Sequence, residues 1–416
     1  MSNDGQIIMK ADQSMVAFLW LLSLISLHFL YISSAFVRQI PFGKGLAGMA
    51  LLASEALLII MAVRTYKASS AYLHPFVKVI VLLAILYNLA HVIYSLIFVP
   101  DVPYLSLFGN IQYQPLFMLP IAFLIGLEPE RFFSVYKFIW YFVLLMIPLF
   151  IFSQVAEPLA GTGVIFLLAF AKYLPDKKRI LLLVFAMLYA LLCYIADARA
   201  SLIRAMMGGA ILLFSYTPLY KSRAVKIVIY VIIVALPLYY LVRFVSTGES
   251  VFEQLTSSFY DTDFGEEHSE DTRTFLYEEV FDDLTNNDAW VLGKSITGTY
   301  YSAHFDYKYS NENAYRFGAE VGTLIILLKG GLVQFVMYML ILLFAIYRCM
   351  LYSKSKYVVL IGLVLLSHYV LLFIEEIPRY DLYNIAMWVF MGISFVAPND
   401  EYDDDWFEER FDLVFL

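Results

Sequence analysis

Residues 319–347 read AEVGTLIILLKGGLVQFVMYMLILLFAIY, a nearly unbroken apolar run. Crossing the hydrocarbon of a bilayer takes about 20 such residues as a helix, so this stretch alone predicts a membrane span. Runs of the same kind lie on both sides of it. Downstream are 357–375 and 382–398; upstream are 14–37, 45–63, 76–99, 107–127, 132–153, 157–174, 179–196, 201–218 and 224–242. The fold expected is an all-α polytopic membrane protein with about twelve transmembrane helices. Residues 1–242 carry spans one to nine, 243–318 one large extracytoplasmic loop, 319–398 spans ten to twelve, and 399–416 an acidic cytoplasmic tail. The run 107–127 is the irregular one. Its Asn110, Gln112, Gln114, Pro115 and Pro120 predict a kinked, re-entrant or pore-facing segment, because broken backbone at membrane depth is tolerated only against protein or water.

Bulk chemistry agrees. Charged residues make up 15% of the 416 positions, hydrophobic residues 61%, and the mean hydropathy is +0.73. A soluble domain carries about 25% charge, and so little cannot cover a core of this size with polar surface. No basic stripe interleaved with aromatics is present, so no nucleic-acid partner is expected. Cys193 and Cys349 fall near opposite membrane faces in this topology and cannot pair. The polar segment 1–13 and the absence of a small-residue cleavage site predict that the first run is a retained span.

Orientation follows from lysine and arginine in short loops. Arg64 and Lys67, Lys172 with Lys177, Lys178 and Arg179, Lys221 with Arg223 and Lys226, and Arg348 with Lys354 and Lys356 all fall on one side. That side is read as the cytoplasm, with both termini inside. Arg38 and Lys44 dissent.

Loops longer than about 15 residues in a compact protein are functional or disordered, and 243–318 carries the apolar content of a folded one. Leu276, Val280 and Leu284 recur at i, i+4 and i+8 with Tyr277 and Phe281 beside them, while Glu278, Glu279, Asp282 and Asp283 take the other face. That pattern predicts an amphipathic helix lying over the membrane helices as a lid, with Asp271 or Thr272 as its N-cap. Arg273 falls in its first turn, where free backbone N–H groups and a guanidinium converge on a natural anion site; an ion pair with Glu270 or Asp271 is the competing explanation. Arg199 and Arg204 open the eighth span. Arg199 lies at the outer surface, where it can snorkel or pair with Asp197, and Arg204 about a turn and a half deeper. Ionisable groups inside a span face a cavity or a partner. His304, Glu312 and Glu320, ahead of the tenth span, are candidate bases. Glu55, His28, Asn88, His91 and His368 are isolated polar groups in spans. Glu375, Glu376, Arg379 and Asp381 read as a local salt-bridge set in an outer loop. Asp261-Thr262-Asp263 has a metal-site spacing that arises easily by chance in an acidic loop, so no metal is assigned. Phosphate loops, dinucleotide fingerprints and HExxH are absent.

In layout the chain resembles the bacterial polysaccharide polymerases of the O-antigen polymerase and O-antigen ligase type. The motifs concerned are Ala198-Arg199-Ala200-Ser201 at the start of a span, Arg273 followed by Val291-Leu292-Gly293, and Glu320-Val321-Gly322 leading through Leu328-Lys329-Gly330-Gly331-Leu332. Two positions depart: Ala198 stands where a serine is expected, and Glu312-Asn313 where ligases carry His-Asn. The resemblance implies a membrane glycosyltransferase that transfers a growing glycan from undecaprenyl pyrophosphate to a sugar hydroxyl of the next lipid-linked repeat unit, without nucleotide, metal or other cofactor. Arg199, Arg204 and Arg273 would hold pyrophosphate, and Glu320, Glu312 or His304 would act as base. Implied partners are the lipid-linked oligosaccharide, membrane lipid, and a chain-length regulator or flippase. Implied location is the bacterial cytoplasmic membrane. The alternatives are a ligase or protein glycosyltransferase of the same fold, and a twelve-helix transporter or lipid-linked sugar flippase. The tail, with Trp406, Phe407, Phe411 and Phe415 among acids, reads as solvated, or else as a handle for a cytoplasmic partner.

Overall fold

The computed structural model describes residues 14–23, 44–98, 115–150, 156–196, 198–247, 274–303, 314–398 and 402–415. In chain order the helices are α1 (Ser14–Ser23), α2 (Lys44–Ser69), α3 (Pro75–Phe98), α4 (Pro115–Ile125), α5 (Arg131–Phe150), α6 (Ala156–Ala169), α7 (Asp176–Ile195), α8 (Arg199–Tyr216), α9 (Arg223–Thr247), α10 (Thr274–Asn286), α11 (Gly322–Tyr347), α12 (Lys356–Leu372), α13 (Leu382–Val396) and α14 (Asp404–Phe415). Among the described residues, each apolar run of the sequence contains an α-helix. Among the described residues five helical stretches are long and apolar enough to cross a membrane: Met49–Ser69, Pro75–Phe98, Asp176–Ile195, Arg223–Arg243 and Gly322–Tyr352. The chain is therefore a multi-pass helical membrane protein. The described part of the irregular run 107–127 holds the short α4, with Pro120 inside it. One departure from all-α is a minimal antiparallel ladder pairing Tyr300 with Arg316 and Tyr301 with Tyr315.

Burial separates an inner from an outer set of helices. Every residue of α13 is buried, as is nearly all of α12. By contrast α3, α7 and α9 expose Leu82, Leu86, Val184, Met187, Val231 and Ile232. Water would not tolerate apolar faces of that extent on a monomer; lipid does. The inner helices pack backbone to backbone, since a Cβ on Gly126, just after α4, would lie 1.9 Å from the Val389 carbonyl oxygen of α13. Small residues permit such close approach where no hydrophobic force drives helices together.

The two ends of the bundle differ. At one end, Lys172 Nζ donates to the Ser215 carbonyl in the last turn of α8 (3.0 Å), and Lys226 Nζ to that of Ser353 (3.4 Å). Arg348 donates to the Ser394 and Phe395 carbonyls of α13 (3.3 and 3.1 Å). These cations satisfy carbonyls that helix ends leave unbonded. The short-loop lysines and arginines among them thus gather at one end, as their pattern predicts.

The tail corrects the sequence reading. Rather than a solvated acidic tail, its described part is the helix α14, docked on that same basic end. Phe407 and Phe411 are buried, and Phe411 packs on Phe132, Phe133, Tyr136, Phe170, Tyr173 and Tyr357. Phe407 and Phe411 are four apart, so both rings fall on one helix face and the acids are left to the other.

The loop helix has the face its spacing predicts. In α10, Leu276, Val280 and Leu284 are buried, while Glu278 and Asp282 are exposed. They pack on Val321, Leu324 and Leu328 at the start of α11 and on Ile377. The expected N-cap at Asp271 or Thr272 lies outside the described residues.

Candidate functional site

The opposite end of the bundle gathers the start of α8, the start of α11, and residues 373–381 between α12 and α13. Arg204, five residues into α8, is 2% exposed. Its guanidinium donates to Ser201 Oγ (3.1 Å) and to Glu376 Oε2 (3.4 Å). Glu376 is itself buried, 172 residues away in sequence. Its backbone is fixed by a turn in which the Glu375 and Glu376 N–H groups both donate to the Leu371 carbonyl.

Around this pair lies more buried polarity. Tyr338 of α11 and His368 of α12 share a hydrogen bond of 3.0 Å through the His368 Nε2, and the Tyr338 ring stands edge-on to Trp388 at 5.2 Å. The Glu376 carboxylate lies within electrostatic reach of both Tyr338 and His368. Arg379 pairs with Asp381 at 2.8 Å, and Asp381 caps α13 by accepting from the Asn384 N–H at 2.9 Å. The expected local salt-bridge set is therefore present in part, with Glu376 diverted to Arg204. Burial raises the Asp381 carboxyl above the usual carboxylate range, against the lowering pull of Arg379 and Asn384. Tyr380 accepts from Ser54 Oγ of α2 (3.2 Å); burial, with Glu55 adding to it, raises its phenol. Glu55, one of the isolated polar groups in spans, thus lies within electrostatic reach of Tyr380.

α10 roofs this end. Its Tyr277 hydroxyl donates to the Phe373 carbonyl at 2.8 Å. The following turn, Val291-Leu292-Gly293, seats in a break of α11 at Gly331. Both glycines have positive φ, +70° and +62°, the region that favours glycine. A Cβ on Gly331 would lie 2.3 Å from the Val291 carbonyl oxygen. The break frees backbone groups of α11, and the turn satisfies them: the Lys294 N–H donates to the Leu328 carbonyl (2.7 Å), and the Leu332 N–H to the Trp290 carbonyl (2.8 Å). Tyr87 of α3 donates to the Gly330 carbonyl (2.9 Å), and Ser95 bonds Ser295 (2.6 Å). Buried backbone groups need such partners. Lys329, in the break, donates to the Gly298 carbonyl at 2.5 Å, and Lys294 pairs with Asp283 at 2.8 Å.

Of the residues assigned by sequence to pyrophosphate binding or to the base, Arg204 is the one that the described structure places in the buried centre. Arg199 is the first residue of α8, and its side chain is not among those described. Arg273, His304 and Glu312 lie outside the described residues. Glu320 is exposed, two residues ahead of Gly322, whose added Cβ would lie 2.1 Å from the Glu376 carbonyl oxygen, and within electrostatic reach of the buried Tyr300 together with Arg316 and Glu279. The Tyr300 phenol is pushed up to about 12, first by burial. Sequence reasoning missed Glu376 as the partner of Arg204, because no local spacing connects segments so far apart. It passed over Lys329, although a lysine between glycines and an apolar run is a signal in itself.

A guanidinium and a carboxylate held together out of water can bind an anion and move a proton. Among the described residues no three metal-ligating side chains come together. Cys193 and Cys349 are both buried free thiols. Compared with the models of known protein families and with characterised proteins, the chain matches none.

Proposed function

We propose that the chain is a polysaccharide polymerase of the bacterial cytoplasmic membrane, joining lipid-linked repeat units at the outer face. The observation that carries this reading is the burial of Arg204 beside Glu376 at the end of the bundle roofed by α10. A buried guanidinium is costly unless charge meets it, and phosphates are the anions its planar fork fits best. In this reading the basic end with α14 faces the cytoplasm, and both termini lie there. The glycan is transferred from undecaprenyl pyrophosphate to a sugar hydroxyl of the next unit. The bond from the anomeric carbon to phosphate breaks, its electron pair leaves on pyrophosphate, and arginines meet that charge. Arg199 and Arg273 are assigned with Arg204 to this role, and the polyprenyl tail to the lipid-facing side of the roof.

A second reading, a transporter or lipid-linked sugar flippase, draws support from the Tyr338–His368 pair, since ionisable groups inside spans mark transport paths. Complementation separates the two. The gene is deleted in its host and replaced by wild type or Arg204→Ala, and surface polysaccharide is run on a gel beside an assay of exported lipid-linked units. Loss of the ladder with single units still exported, at normal protein abundance, is the result expected of a polymerase. Single units retained inside would replace it with the transport reading, and normal polymer from Arg204→Ala would remove the arginine from the chemistry.

A further inference from the structure

We propose that Glu376 is the catalytic base of this site and that Arg204 holds it in reserve until pyrophosphate arrives; this rests on the polymerase reading. Of the candidate bases of the sequence, Glu320 is the one among the described residues. Glu320 is exposed and within electrostatic reach of the buried Tyr300. Glu376 is buried against the guanidinium itself, at 3.4 Å. That contact is longer than the 2.7–2.9 Å typical of a charge-assisted hydrogen bond. Both groups sit on fixed supports. Arg204 is braced by Ser201 within α8, and Glu376 by the backbone turn that closes α12 on the Leu371 carbonyl.

A pyrophosphate carries at least two negative charges, more than one carboxylate, and competes for the same donors. When its oxygens take the guanidinium, Glu376 Oε2 is left to accept the acceptor hydroxyl. The step then balances. The acceptor O–H proton passes to Glu376, the acceptor oxygen bonds the anomeric carbon, and the anomeric carbon–phosphate oxygen bond breaks. The electron pair departs on pyrophosphate, whose charge Arg204 meets. Donor binding and base release are one event, so the carboxylate is engaged only when a donor is present.

The test uses the deletion host, its own lipid-linked units and the full chain. Four variants are compared with wild type: Glu376→Gln, Glu376→Asp, Arg204→Ala, and the exchange Arg204→Glu with Glu376→Arg. A base contributes about 100-fold or more to such a step. Glu376→Gln is expected to lose that much polymer while exporting single units, and Glu376→Asp to recover part of it. The exchange keeps an ion pair and so keeps protein abundance. It is expected to make no polymer, because the carboxylate now stands where the phosphate must bind. Polymer restored by the exchange, or normal polymer from Glu376→Gln, overturns the base assignment while the polymerase reading stands. If the deletion leaves the ladder intact, that reading falls and the base assignment with it. Should Glu376→Gln fail to accumulate, the exchange and Glu376→Asp decide alone.

Discussion

The two ends of this bundle handle charge in opposite ways. At the end carrying α14, cations reach helix carbonyls and exposed acids, and what holds the tail in place is apolar: Phe407 and Phe411 under a ring of aromatics. At the end roofed by α10, charges are inside. Arg204, Glu376 and Asp381 are all buried, and the helices there are interrupted or capped by side chains. The first arrangement is what stability alone would select. The second costs stability, because taking two charges out of water exceeds what their attraction returns. A protein keeps such an arrangement where function needs it.

The largest effect that sharpens this contrast is expected at Glu376. Removing one partner of a buried ion pair leaves the other uncompensated, at a cost of about 3–5 kcal/mol, so Glu376→Ala should lower the thermal midpoint of the purified protein in lipid-detergent micelles steeply. Replacing both charges, as in Arg204→Met with Glu376→Leu, should recover most of that loss. If the double variant is as unstable as the single one, the pair is a structural strut and the contrast between the ends disappears. Phe411→Ala comes next, at about 3 kcal/mol for a large ring removed from a packed cluster. Its signature differs: the tail should become open to protease while the α10 end keeps its protection. Loss of protection at both ends together would mean that the bundle melts as one unit.

Gly331→Ala ranks third. The residue combines φ +62° with a Val291 carbonyl oxygen 2.3 Å from any added Cβ. About 2 kcal/mol is expected from backbone strain alone, read as faster amide exchange in 289–298 and in the first half of α11. Polymer formation in the deletion host should fall with it if the seat of the roof matters to the site.

Much of this architecture was legible. The apolar runs located the five described helices long enough to cross a membrane, and the i, i+4, i+8 spacing of Leu276, Val280 and Leu284 located α10 and its buried face. Both signals are local, set by helical period and hydrophobicity. What escaped was non-local. The docking of α14 depends on rings from α5, on Phe170 and Tyr173 around the end of α6, and on Tyr357 of α12, and an acidic composition hid it. The link between Glu376 and Arg204 joins two segments with no shared pattern. Arg204 itself was legible because a charge inside an apolar run has no bland explanation, and Lys329 met the same criterion.

The smallest effect concerns how α14 is held. Asp404 Oδ1 accepts from the Lys356 N–H and from Ser355 Oγ, both at 2.8 Å. Lys356 is the first residue of α12, whose own cap residue Ser355 makes no capping bond from its side chain. The tail thus supplies the N-cap of α12 from 48 residues away, with a negative charge at the positive end of the helix dipole. Asp404→Ala should cost about 1 kcal/mol, as loss of an N-cap does, and Asp404→Asn less, since the acceptor is kept. Exchange at the Lys356 amide should quicken in the alanine variant while Phe411 keeps its protection. Release of the whole tail by Asp404→Ala would put the cap, and not the aromatic seat, in control of docking. In that case the basic end would depend on a partly buried polar contact, as the roofed end depends on a buried one.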